Sequence, residues 1–94
     1  MARASLDSIR AITSAIEACE RDIALAQAEL GMLTHLDDDA RRDALVSDHA
    51  EDRQLARMTA SDVKRLRGHL DKLAAKRSKL VRKRAKAIAK LAAR

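Results

Sequence analysis

IRAITSAIEACERDIALAQAELGML, residues 9–33, decides the architecture. Ile9, Ile12, Ile16, Cys19, Ile23, Ala26, Leu30 and Leu33 follow one another at alternating steps of three and four. That is the heptad rhythm of a coiled-coil seam, which buries one narrow stripe of a helix against a partner. Ala11, Ala15 and Ala18 beside the seam let a partner helix approach closely. Ser5 is a candidate N-cap with Asp7 in the first turn, so the spacing predicts an N-terminal helix over residues 1–36.

Composition points the same way. The 94 residues contain no Phe, Trp, Tyr or Pro and only two glycines, Gly31 and Gly68. Without aromatic anchors the core must be a thin aliphatic seam, and without turn punctuation the chain favours long helices over β architectures. The single cysteine, Cys19, has no partner for an intramolecular disulfide and sits in the seam as a small hydrophobe. No charged start followed by an apolar run marks a secretory leader, and no run of eighteen apolar residues marks a membrane span. A reducing, cytoplasmic setting is expected.

The rhythm breaks at THLDDDARRD, residues 34–43, where Asp37 occupies the next seam step. Three aspartates followed by Ala-Arg-Arg read as a helix stop and a new start, with Asp38 or Asp39 as the new N-cap. Residues 37–52 hold seven acids and two arginines, with only Leu45 and Val46 as substantial apolar groups. Residues 37–54 are therefore expected to form an acidic connector, with room for a short helix of its own. Thr59, Ala60, Ser61 and Asp62 resemble a capping box that restarts the chain, or else lie inside one continuous helix.

A second seam, Val63, Leu66, Leu70 and Leu73, belongs to a helix over residues 55–94, with Leu55 and Met58 extending it backward. Its continuation meets Arg77 and Arg84, flanked by Leu80, Val81, Ile88 and Leu91. Two arginines in a dry seam are costly, so either the pairing ends near Leu73 or the seam beyond is shallow enough for both to reach water. The expected fold is all-α: an antiparallel helical hairpin, or coiled coil, of two long helices, with a third if the connector is helical. Matching apolar positions pairs Leu33 with Leu55, Ile23 with Val63 to Leu66, and Ile16 with Leu70 to Leu73. The alternative is one long second helix with its weak middle exposed. Narrow seams on a small chain favour a homodimer or higher oligomer, joined through Ile9, Ile12, Ile16, Cys19, Ile23, Leu30, Leu33, Leu66, Leu70 and Leu73.

Charge is segregated along the chain. Residues 72–94 carry ten bases and no acid: Lys72, Lys76, Arg77, Lys79, Arg82, Lys83, Arg84, Lys86, Lys90 and Arg94. Like-charge neighbours four apart each destabilise a helix by roughly 0.2–0.5 kcal/mol, and a polyanion relieves that repulsion. Nucleic acid is the expected partner, DNA over RNA, bound through backbone phosphates; missing aromatics argue against single strands read by stacking. A scaffold or inhibitor-type module docking on an acidic protein surface is the alternative, with Leu80, Val81, Ile88 and Leu91 as its contacts. The acidic stretch 37–52, in cis or from another copy, is one such surface. A merely solvated cationic face is the plainest reading, and a lipid surface fits poorly without interfacial Trp or Phe. Nothing assembles a catalytic site or a cofactor site, and His35, His49 and His69 lack metal-ligand spacing.

Overall fold

The computed structural model describes residues 2–93, with side chains from residue 6 to residue 93. Two α-helices, α1 (Ala2–Val46) and α2 (Ala50–Ala92), pack as a hairpin, and no strand occurs among the described residues. The chain divides into two compact units. The turn unit is Ala24–Asp71, and the terminal unit combines Met1–Ile23 with Lys72–Arg94.

In the turn unit, α1 does not stop near residue 36. It runs through the aspartates to Val46, and only Ser47, Asp48 and His49 separate it from α2. The expected connector 37–54 is thus the end of one helix, a three-residue turn and the start of the next. The acids read as a stop signal are satisfied inside the helix by arginines one turn ahead. Arg41 pairs with Asp37, and Arg42 bonds Asp39 at 2.6 Å. Asp38 and Asp39 therefore cap nothing. In the turn, the backbone N–H of His49 donates to the Ser47 hydroxyl at 3.0 Å, and Glu51 and Asp52 meet the positive end of the α2 dipole.

The seam also continues where the sequence pattern broke. Asp37 and Ala40 are buried on the three-four rhythm of α1, with Asp37 only 1% exposed. The Thr59 hydroxyl donates to Asp37 across the hairpin at 3.0 Å, so Thr59 works mid-helix rather than opening a capping box. Leu33 shares a groove with Leu66 and Asp62, not Leu55. Leu55 and Met58 are half exposed, because Ala56 and Thr59 take the inward positions instead. Small residues near the turn let the helices close directly onto one another, which a long connector would have prevented.

In the terminal unit, Glu20 meets Arg77 and Thr13 meets Arg84. Seven residues forward on one helix match seven on the other, in the opposite order, so the pairing is antiparallel. Ile16, between those contacts, falls opposite Leu80 and Val81 rather than Leu70 to Leu73. Ile12, Ile16, Cys19 and Leu73 are buried, and the Cys19 thiol donates to the Leu73 carbonyl at 3.3 Å. Ser5 lies inside the first turns of α1, since the helix begins at Ala2. The seam residues expected at an interface between copies are buried or half-buried within the single chain: besides these four, Ile9, Ile23, Leu30, Leu33, Leu66 and Leu70 are half-buried.

A candidate polyanion-binding face

The cationic segment belongs entirely to the terminal unit. Its helix needs no apolar face all round, because the inward positions Leu73, Leu80, Arg84, Ala87 and Leu91 are at least half-buried, while most of the outward ones are Ala and Lys. Ala supplies helix propensity where nothing packs, and Lys90 lies in the last turn, where the helix dipole favours a cation.

The bases separate into two groups. Arg77 and Arg84 lie on the seam side. Arg77 donates through Nε and Nη2 to Glu20 Oε2, at 3.1 and 2.9 Å. Arg84, half-buried, reaches the Thr13 hydroxyl at 3.4 Å. The pairing therefore does not end near Leu73, since both guanidinium heads find polar partners on α1. These two are therefore structural before they are anything else.

Six lysines form the other group. Lys72, Lys76, Lys79, Lys83, Lys86 and Lys90 step by four, three, four, three and four, a heptad track along one exposed side of α2. With 1.5 Å of rise per residue the track is about 27 Å long. Arg82 lies exposed beside it. Among the described residues no carboxylate comes within ion-pair distance of any of these seven. Arg94 falls outside the described residues.

The track has apolar and small neighbours. Lys72, Lys76 and Lys79 border a groove floored by Ala75 and Leu80. Lys83, Lys86 and Lys90 border another, with Ser8 and Ile12 of α1 across from them. No acid lines either groove, so nothing in it competes for the ammonium groups. The sequence pattern alone placed the bases over the outward half of the helix. Knowing which side faces α1 reduces that spread to one track.

Asp37 and Thr59, the polar pair in the turn unit, were not found by sequence reasoning. The Arg41 guanidinium, bonded directly to Asp37, holds its carboxyl below the ordinary value of 3.8, against the opposing effect of burial; Thr59 and the charge of Arg67 act in the same direction as Arg41. The available signal was Arg41 four residues after an acid that sits on the seam step. Of the three histidines, only His35 approaches an acid, Asp39 at 3.7 Å, and no group of metal-ligating side chains occurs among the described residues. No helix among the described residues is long and apolar enough to cross a membrane. No protein-family model matches the chain, and neither a curated protein nor a solved structure matches it.

Proposed function

We propose that the chain is a non-enzymatic helical module of a reducing, cytoplasmic setting that binds duplex DNA through backbone phosphates, using Lys72, Lys76, Lys79, Lys83, Lys86 and Lys90, with Arg82 beside them. The supporting observation is the lysine track itself: six ammonium groups on one face, none paired with a carboxylate among the described residues. A duplex presents one negative charge per roughly 1.7 Å of axis, so a track of this length meets an excess of phosphates at any rotation. Lysine suits such contact as a mobile point charge, whereas reading bases favours the rigid fork of arginine. The chain's few exposed arginines on this face argue for phosphate contact with little base preference.

Salt dependence tests the proposal. With five or six phosphates neutralised, log K against log salt should fall with a slope of about −4 to −6. Changing Lys79, Lys83 and Lys86 to Gln removes three contacts and should flatten the slope by about 2.7. A slope unchanged by the triple substitution refutes the assignment.

Docking on an acidic protein helix is the second reading, because a three-four track of lysines matches a three-four track of acids. Of its expected apolar contacts, Leu80, Val81 and Leu91 are half-buried in the terminal unit, and only Ile88 remains half exposed. Ile88→Ser should therefore cost a protein partner affinity while leaving DNA affinity unchanged.

A further inference from the structure

We infer that the exposed apolar face of the turn unit is a self-association surface, whose occupant is the same face of a second copy of this chain. Leu25, Met32 and Leu36 of α1 and Leu55 and Met58 of α2 are 49–71% exposed. They share one side of the hairpin. A groove lined by Glu29 and Leu33 on α1 and by Asp62, Arg65 and Leu66 on α2 fixes that side. Leu25, Glu29, Met32 and Leu36 step by four, three and four through one wall; Leu55, Met58, Asp62 and Arg65 step by three, four and three through the other. Five large apolar side chains exposed on one side of so small a chain mark an association site.

Symmetry and charge select the occupant. An isologous contact requires a surface complementary to itself. On α2, Met58 has Glu51 one heptad before it and Arg65 one heptad after it. A two-fold axis over Met58, with the two α2 helices antiparallel, sets Glu51 of each copy opposite Arg65 of the other and packs Leu55 and Met58 between them. Each pair then ends in opposite charges, as flanking positions of paired coiled coils do. Glu29, and Asp62 paired within the chain with Arg65, leave this face mixed in sign, unlike the lysine track, so it offers little to a polyanion. Two lysine tracks laid against each other would repel, so the turn unit's face, and not the track, is the self-complementary one.

Packing gives the driving force. In a hairpin each helix has one neighbour, and the buried large aliphatics among the described residues are only Ile12, Ile16, Val63 and Leu73. Two hairpins joined face to face provide each helix with a second neighbour, the arrangement of a four-helix bundle.

Sedimentation equilibrium on the full chain tests this. At about 100 μM the wild type should run at twice 10.4 kDa and dissociate on dilution. Met58→Glu puts two carboxylates face to face at the axis and should raise the dissociation constant by about 100-fold or more, with helicity by circular dichroism unchanged because the side chain is half exposed in the single chain. Glu51→Lys and Arg65→Glu should each weaken the dimer, and the two together should restore it, an outcome that no purely structural role of either residue produces. A wild type that stays a single chain at that concentration, a Met58→Glu dimer as tight as wild type, or a double swap no tighter than its single variants would each overturn the assignment.

Discussion

Asp37 is the residue on which the turn unit's register rests. An ionised carboxylate in a seam is costly unless its lone pairs are filled, and here Arg41 and Thr59 fill them. Moving the second helix by one heptad would set the carboxylate opposite Leu66 in one direction and Asp52 in the other, so this polar pair excludes neighbouring registers as a single buried Asn does in other coiled coils. Because the Asp37 carboxyl is held below its ordinary value in the folded chain, it binds a proton less readily folded than unfolded. Its stabilisation is therefore complete above the unfolded value and disappears as pH falls through the folded one. Asp37→Asn removes the charge at every pH. The variant should melt below the wild type at neutral pH, with the gap closing as the pH is taken from about 5 down past 3, and thermal melts across that range measure it. A gap that stays constant would mean that Asp37 contributes shape rather than charge. In the sequence this residue looked like the end of the helix, since an acid on a seam step carries no mark of its partner. Thr59 is twenty-two positions away, and only the folded pairing identifies it.

At the level of the helix, α2 carries a conflict between stability and charge. Lys72 and Lys76, Lys79 and Lys83, Arg82 and Lys86, and Lys86 and Lys90 are like-charge neighbours four apart on an exposed surface. No need of the fold requires lysine there, because these side chains are outside the seam. Lys79→Glu converts one repulsive pair into an attractive Glu-to-Lys pair in its better orientation, a gain of about 0.4–1 kcal/mol at low ionic strength. For a domain of this size that is a rise in Tm of about 2–8 °C. The same substitution should weaken DNA binding and flatten its salt dependence by about one contact or more. Calorimetry and a binding titration on one variant thus move in opposite directions. If Tm falls instead, the lysines serve the fold and the track has another purpose. The helices themselves were legible in advance, since heptad steps over residues 9–33 and 63–73 report burial directly. The helix ends were not. Three consecutive aspartates suit an N-cap and a helix surface equally, and Arg41 and Arg42 one turn ahead decide the matter only once the helix exists.

For the whole molecule, the important fact is that the terminal unit is assembled from both ends of the chain, with residues up to Ile23 packed against those from Lys72 onward. The antiparallel fold class and the location of positive charge were readable from the sequence, because seam rhythm and composition are local properties. The register was not. It depends on a buried Asp–Thr contact and on a turn of three residues, neither of which apolar matching counts. This bears on how the lysine track is to be tested. Deleting residues 74–94 removes the bases from Lys76 onward, but it also strips the cover from Ile12 and Ile16, both buried in the intact chain. A lone helix segment of some twenty residues with an unpaired apolar stripe is marginal in water. The truncated chain should therefore lose roughly twice the helical signal that the missing residues account for. Trypsin should cut it at Arg10 and Arg21, positions inside α1 in the intact protein. A truncated chain whose lost helicity matches only the deleted residues, with those sites still protected, would show that α1 holds its own structure without α2. The lysine-to-glutamine substitutions keep Leu73, Leu80 and Leu91 in place, and so separate loss of charge from loss of fold.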